Sequence, residues 1–192
     1  MTEGDDGCTC KMSFVSPEAF NNLIDHSKPG VPTKNPIQAL SFLLGPFSKL
    51  TDRLTQLLRP SEADLQNRSF FEESTILTLY TVAGAVSALA NHDSISQISA
   101  EYTVDGEISL GIKDTVAVTL VVKDHHFTTI KEPSKNPRAI MEFATLDLAA
   151  GLFAGKVSTI NEMCKGTIRV RGMINMLDNV NRILDRVSVY LG

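Results

Sequence analysis

Histidine and cysteine are the residues of this chain whose chemistry most often serves catalysis or metal binding. His125 and His126 follow Asp124. Neighbouring strand residues point to opposite faces of a sheet, so this pair makes a poor chelate and an exposed turn is the better interpretation. Cys8 and Cys10 lack the second ligand pair that structural zinc usually requires. We predict no metal site and no cofactor, while a metal or redox role for the two cysteines stays open.

The sequence contains no motif that would assign a catalytic reaction. A nucleophile elbow, a phosphate-binding loop, a metalloprotease helix and a dinucleotide fingerprint are all absent. The remaining histidines, His26 and His92, are predicted to lie in an N-terminal arm and at a turn. Cys164 stands among apolar residues, and we predict a small buried hydrophobe rather than a nucleophile. The chain is therefore predicted not to be an enzyme.

Composition indicates a globular protein in a reducing compartment. Hydrophobic residues make up 43% of the 192 residues and charged residues 21%, close to the globular average. The net charge of -4 disfavours a nucleic-acid partner. Three cysteines without a framework spacing fit a reducing compartment. Since no signal-peptide pattern and no apolar run of about 20 residues is present, we predict a cytoplasmic protein without a transmembrane segment.

Residues 1–60 are predicted to form an arm and an amphipathic helical extension. Four prolines within residues 1–36 predict an irregular arm with at most one short helix, Ser16 to His26. Apolar residues then recur at helical spacing, and Gly45–Pro46 is expected to end one helix and begin another. This pair of helices must bury its apolar face on another surface.

Residues 61–192 are predicted to form a second domain, in which a long apolar helix precedes a sheet. The helix is expected to end at Asn91–His92–Asp93. Alternation of apolar and polar residues begins at Ile98 and predicts a first strand, then a tight turn at Asp105–Gly106. The later elements are strands near 108–112, 116–122, 127–130, 138–143 and 166–171, short helices beginning near Thr145 and Ser158, and a terminal helix from Met173.

Two segments in the C-terminal part resemble the sterol carrier protein 2 family. Thr145–Lys156 has the pattern of a helix ending in Gly-Lys, and Met163–Gly172 that of a short helix, a basic residue with glycine, and a strand ending in glycine. An apolar terminal helix follows from Met173. The similarity covers about residues 65–192 and is tightest over 138–191, whereas the first 60 residues have no counterpart.

The resemblance implies an α+β fold, with a mostly antiparallel sheet of five or six strands covered by helices around an apolar tunnel. The implied ligand is a fatty acid, acyl-CoA, sterol-like molecule or other lipid. Methionine suits a pocket that accepts varied apolar shapes, although the same residues also suit a plain core. The predicted lining consists of Phe143, Leu152, Phe153, Met163, Ile168, Met173, Met176, Leu177, Val180 and Leu184.

Arg169 and Arg171 alternate on one strand near Lys165. Their guanidinium groups suit the carboxylate or phosphate head group of a lipid. The alternative is a solvated sheet face or an ion pair with Glu142.

Three functions follow as hypotheses. The first is a lipid-binding or lipid-carrying module. The second, also drawn from the resemblance, is an accessory or scaffold subunit of a lipid- or quinone-handling assembly. Its N-terminal helices would dock a partner or a second copy, so a homodimer stays open, as does transient contact with a membrane. An enzyme acting on an apolar substrate ranks last.

Overall fold

The structure, a computed structural model, describes residues 41–191 apart from a few side chains in this range. The chain divides into two compact units, residues 1–56 and residues 57–192. Cys8, Cys10, His26 and the predicted helix Ser16–His26 lie outside the described residues, as does the beginning of the predicted helix near 37–44.

The chain is helical from Ser41 onward. A π-helical segment, Leu43–Phe47, contains Pro46 and leads directly into α1, Ser48–Leu58. The predicted break at Gly45–Pro46 is therefore wrong. A proline ring clashes with the carbonyl group four residues earlier in an α-helix, and a wider π-helical turn accommodates the ring, so the helix continues.

Capped helical segments open the second unit. Ser61 Oγ donates to Asp64 Oδ2 at 2.6 Å at the start of a 3₁₀ turn, Asp64–Gln66. The long helix α2, Arg68–His92, follows. Asn67 caps it, because the Asn67 side chain accepts hydrogen bonds from two backbone N–H groups of the first turn. The predicted long helix and its end near Asp93 are confirmed.

A helix, α3 (Ser94–Glu101), replaces the first strand that the alternation from Ile98 predicted. Asp93 Oδ2 accepts hydrogen bonds from the N–H group of Ser96 at 2.9 Å and from its hydroxyl at 2.8 Å. Ser96 and Ala100, one turn apart, are buried. Over so short a segment an alternating pattern does not exclude a helix, and the cap favours it. The predicted turn at Asp105–Gly106 instead connects α3 to the first strand.

Five strands form one mixed sheet with the order β3-β2-β1-β4-β5. β1 pairs antiparallel with β2 and parallel with β4, and the β2–β3 and β4–β5 pairs are antiparallel. The predicted α+β class with a five-stranded, mostly antiparallel sheet is confirmed. The strands are β1 (Gly106–Ile112), β2 (Val116–Lys123), β3 (His126–Ile130), β4 (Ala139–Phe143) and β5 (Ile168–Gly172).

The two faces of the sheet are covered differently. Residues 131–138, which connect β3 to β4, cross the outer face. Thr119 Oγ1 donates to the carbonyl oxygen of Glu132 at 2.7 Å, and the Ser134 hydroxyl donates to the Glu107 carboxylate. The inner face carries the apolar side chains at alternate strand positions. Its buried centre consists of Ile108, Leu110, Val118, Leu120 and Phe127.

Three further helices complete the fold: α4 (Leu146–Phe153), α5 (Thr159–Cys164) and α6 (Ile174–Leu191). Thr145 caps α4, as predicted, by accepting a hydrogen bond from Leu148 N at 3.2 Å. Gly172, with φ of 83°, joins β5 to α6. A Cβ atom there would lie 2.0 Å from the carbonyl oxygen of Arg138, so only glycine fits.

α2 packs against β3 and α6. Its buried residues include Leu79, Ala83, Val86 and Ala90. By length and composition alone α2 is apolar enough to cross a membrane, contrary to the prediction that no segment approaches a span. The core helix of a soluble protein passes the same test, and 39% of the apolar window of α2 is buried. Its packing against the sheet leads us to interpret α2 as a core helix.

Candidate functional site

Most of the predicted lining residues lie in one apolar cluster at the β4–β5 side of the sheet. Phe143 of β4 pairs with Ile168 of β5, and both are buried. α6 contributes buried Met176, Leu177 and Val180. The partly buried members that pack against the cluster are Leu152, Phe153, Met173 and Leu184.

An aromatic contact joins α4 to the sheet. The ring centroids of Phe143 and Phe153 lie 6.0 Å apart with an interplanar angle of 83°, an edge-to-face arrangement. α4 buries Leu146 and Ala149, whereas Leu152 and Phe153 in its last turn are only partly buried. The last turn of α4 therefore lies at the boundary between the core and solvent.

Two inner-face residues were missing from the predicted lining. Met141 and Val170 pair across β4 and β5, and both are partly buried against the core. Each lies two strand positions from a predicted residue, so the alternation of strand side chains is the signal that locates them. Together with Phe143, Phe153 and Met173 they form a surface that we call the β4–β5 apolar edge.

Met163 and Cys164 of α5 are exposed. Met163, one of the predicted lining residues, is 41% exposed. The predicted burial of Cys164 is wrong, because its thiol is free and exposed at the end of this short helix. The end of α5 is held locally by Glu162, which accepts from Lys165 and from Thr167 at 2.7 Å each. Lys165 and then Thr167 lower the pKa of the Glu162 carboxyl.

The head-group candidates Arg169 and Arg171 lie on the outer face, opposite the apolar cluster. They pair in the β4–β5 ladder with Glu142 and Ile140. Arg169 Nη1 lies 3.5 Å from Glu142 Oε1, the ion pair that the sequence offered as an alternative. The structure therefore does not bring these arginines together with the apolar lining, and their role in head-group binding stays a prediction.

Two open depressions mark the surface elsewhere. One, of about 240 Å³, lies on the outer face where Gly111 and Ala117 oppose each other and leave a floor without bulky side chains. The other, of about 300 Å³, lies between α3 and α6 and is lined by Ile95, Ile98 and Arg182, among others. Ile98 was missed as a surface residue because the sequence predicted a strand beginning at that position.

An ion pair connects the first turns of α2 and α4. Arg68 Nη1 donates to Asp147 Oδ1 at 2.9 Å, and Nη2 donates to Oδ2 at 3.1 Å. The Arg68 guanidinium group also lies over the Phe71 ring, 5.0 Å from its centroid. The hydrogen bond from Arg68 lowers the pKa of Asp147, and the pKa of Arg68 is raised in return.

The histidine pair lies where β2 turns into β3. Asp124 and His125 have positive φ angles of 50° and 65°, and both imidazoles are exposed, as predicted. His126 Nε2 lies 3.3 Å from Asn91 Nδ2. Within residues 41–191, no group of three His, Cys, Asp or Glu side chains could hold a metal ion.

Asn91 of α2 also protects the outer edge of the sheet. Its Nδ2 donates to the carbonyl oxygen of Phe127 at 2.8 Å, and Phe127 N donates to its Oδ1 at 2.9 Å. Thr129, two positions along β3, donates to the carbonyl oxygen of Ala83 at 2.9 Å. The two bonds of Asn91 pair backbone groups of Phe127 that an edge strand otherwise leaves open, whereas the Thr129 hydroxyl ties β3 to the backbone of α2.

No family model matches this chain, and no curated protein matches it. Solved structures do. Several of them are sterol carrier protein 2 domains, the family that the sequence resembles.

Three of these structures show the extent of the similarity. A ubiquinone synthesis protein, UbiJ-SCP2, is 14% identical and has a TM-score of 0.42, over 55% of this chain and 93% of that one. Sterol carrier protein domain 2 of Helicoverpa armigera is 11% identical, with a TM-score of 0.44, over 57% and 87%. A crystal structure of sterol carrier protein 2 is 14% identical, with a TM-score of 0.43, over 57% and 95%.

Proposed function

We propose that this protein binds an apolar ligand, such as a fatty acid, acyl-CoA, sterol-like molecule or other lipid, at the β4–β5 apolar edge. The observation that carries this proposal is a set of partly buried apolar side chains that pack against the buried core. They are Met141, Phe153, Val170 and Met173. Their side chains are apolar, and the methionines can change shape at low cost. Burial of a ligand contributes about 0.8 kcal/mol per methylene, so a purely apolar surface provides useful affinity.

The last turn of α4 is the element that a ligand would displace. Phe153 covers Phe143 there and is itself only partly buried. Movement of this turn would uncover Met141 and Phe143, so that both could contact the ligand. The predicted tunnel thus stays a proposal, in which the ligand itself opens the space between α4, α6 and the sheet.

In this proposal residues 61–192 are the ligand-binding domain, and the protein carries its ligand in the cytoplasm without catalysing a reaction. Native mass spectrometry of the purified protein tests the proposal, together with displacement of a fluorescent fatty acid. We expect co-purified lipid and saturable displacement. The absence of both would contradict the proposed function.

A second role, as an accessory subunit, is favoured by one observation on α1. This helix has no buried residue, although its leucines form an apolar face. We infer that residues 1–60 are a docking extension. Replacement of two of these leucines by aspartate should abolish association of the protein while fatty-acid binding persists. Loss of both together would argue against separate roles for the two parts.

A further inference from the structure

The two edge strands of the sheet differ in what covers their outer side. At β3, the side chain of Asn91 binds both backbone groups of Phe127, and α2 packs against the strand. At the other edge, β5 is the last strand, and within residues 41–191 no further strand pairs with it. A strand that is unpaired on one side offers a row of backbone donors and acceptors to another extended chain. β5 therefore provides an open edge that β3 does not.

The backbone of Val170 points toward this open side of β5. Ala144 N donates to the carbonyl oxygen of Thr167, and Met173 N donates to that of Arg138, both at 2.9 Å. In an antiparallel pair every second residue bonds to the neighbouring strand, and the residues between point their backbone groups away from it. Val170 lies midway between the bonded positions at Thr167 and Met173, an odd number of residues from each. Its N–H and carbonyl groups therefore point to the open side, where no residue of the described part of the chain binds them.

The open part of the edge is the second half of β5. α5 packs against β5, and Thr167 connects the two because its N–H and its hydroxyl both donate to the carbonyl oxygen of Glu162, at 3.1 and 2.9 Å. Residues 170–172 lie beyond this contact. A strand added to so short a stretch forms few backbone hydrogen bonds, so the neighbouring side chains must supply much of the affinity and the selectivity.

The side chains of β5 are basic on the outer face and apolar on the inner face. Arg171 is exposed and has no ion-pair partner within residues 41–191. The Arg169 side chain is 54% exposed, and its guanidinium group lies 3.5 Å from Glu142. On the inner face, Val170 is only partly buried against the core. A strand beside β5 would thus meet two guanidinium groups on one face and an apolar side chain on the other.

We propose that the open edge of β5 binds an extended segment of a partner protein in which acidic residues alternate with apolar ones. The acids lie beside Arg169 and Arg171 on the outer face, and the apolar residues lie beside Val170 on the inner face. The same charges disfavour a second copy of this chain as the partner, because two paired β5 strands would bring arginines beside arginines. The inference goes beyond the proposed ligand site and does not depend on it.

Two short synthetic peptides test the chemistry of the partner. In one peptide glutamate alternates with valine, and in the other lysine alternates with valine. We expect the full-length protein to bind the glutamate peptide with a Kd at least about tenfold lower than that of the lysine peptide, measured by fluorescence anisotropy. The difference should shrink at high salt. Equal Kd values, or no binding of the glutamate peptide at millimolar concentration, would overturn the proposal.

Charge reversal on β5 should reverse the preference between the two peptides. In Arg169→Glu with Arg171→Glu, we expect the lysine peptide to bind more tightly than the glutamate peptide. Lys123→Glu with Lys131→Glu is the matched control, because it makes the same change of charge at exposed positions in β2 and after β3. The control should keep the wild-type preference. A preference that is unchanged on β5 reversal, or lost equally in both variants, would contradict the assignment to β5.

Hydrogen exchange of the wild type shows whether the bound peptide adds a strand. With the glutamate peptide bound, the amide of Val170 should exchange more slowly, while exchange of the Phe127 amide at the covered edge should not change. Val170→Pro removes the outward N–H group and leaves the bonds of β5 to β4 in place, so it should raise the Kd of the glutamate peptide severalfold. Binding that leaves the exchange of Val170 unchanged would show attraction by charge alone and would overturn the proposal.

Discussion

Arg68 and Asp147 form a two-point ion pair between the first turns of α2 and α4, although 79 positions separate them in sequence. The pair fixes the beginning of α4, while the last turn of the same helix carries half-buried Phe153. α4 is thus anchored at one end and less enclosed at the other. The proposed ligand site requires a cover that can move, and the last turn of α4 meets this requirement.

Asp147→Asn should loosen the beginning of α4. Both side chains are about two-thirds exposed, so solvent screens the pair and the fall in melting temperature should be no more than a few degrees. Hydrogen exchange of the α4 amides should rise, while exchange in β1 and β2 should not. A double variant with Arg68→Gln should add little to the single change. An equal rise of hydrogen exchange throughout the sheet would contradict a local role of the ion pair.

The ion pair between Arg68 and Asp147 should also make the stability of the protein depend on pH in a defined way. Because the pKa of Asp147 is lowered in the folded protein, its contribution to stability is present above the ordinary aspartate pKa. That contribution is lost as the pH falls through the lowered pKa. The difference in melting temperature between wild type and Asp147→Asn should therefore be constant near neutral pH and vanish in acid. A difference that grows in acid would contradict this assignment.

Val170→Trp should block the proposed ligand site by filling the β4–β5 apolar edge. If the indole excludes about two methylenes of the ligand, the Kd of a fluorescent fatty acid rises at least about tenfold. Val121→Trp is the matched control, because Val121 is a partly buried strand residue on the outer face and should leave the Kd unchanged. An equal rise of the Kd in both variants would show that the ligand does not bind at the β4–β5 apolar edge.

Asn91→Ala should destabilise the edge of the sheet at β3. The change leaves the backbone N–H and carbonyl groups of Phe127 without the partners that Asn91 provides. Unpaired groups of this kind cost about 1–3 kcal/mol, measurable by urea unfolding. Asn181→Ala, on the exposed side of α6, should change the free energy of unfolding by no more than about 0.5 kcal/mol. A similar loss for both would show that the contacts of Asn91 are not the cause.

Cys164 should react with a maleimide in the native protein. Its thiol is exposed, whereas the sequence had predicted burial. In a Cys8→Ser, Cys10→Ser background, mass spectrometry should show complete labelling at Cys164 without denaturant. A thiol that reacts only after unfolding would support the sequence prediction against the structure.

The sequence predicted the second half of the fold well, because its signals there are local and agree with one another. Thr145 accepts the capping hydrogen bond of α4, and the strands near 108–130 have turn residues at their ends. The segment 98–104 was predicted wrongly as a strand, because its first residues belong to α3. There the deciding signal was Asp93, a helix cap that lies before the apparent alternation.

The candidate site was predicted only in part. Residue types located the apolar cluster around Phe143 and Met176, since buried apolar residues recur at regular spacing. The separation of Arg169 from the cluster follows from strand alternation, because Arg169 is next to buried Ile168, and the prediction did not use this signal. The exposure of Met163 depends on how the short helix α5 packs, and the sequence contains no local signal for that.

The crossing of residues 131–138 over the outer face has a consequence for the order of folding. β1, β2 and β3 are joined by tight turns and pair through local contacts, whereas β4 pairs with β1 across an interval of 31 residues, Ile108 with Ala139. Local contacts form early and distant ones late. During synthesis, β1, β2 and β3 would therefore pair before β4 is available. The edge of β1 would then stay unpaired, a state prone to aggregation. The strands and helices that build the proposed ligand site would close that edge last.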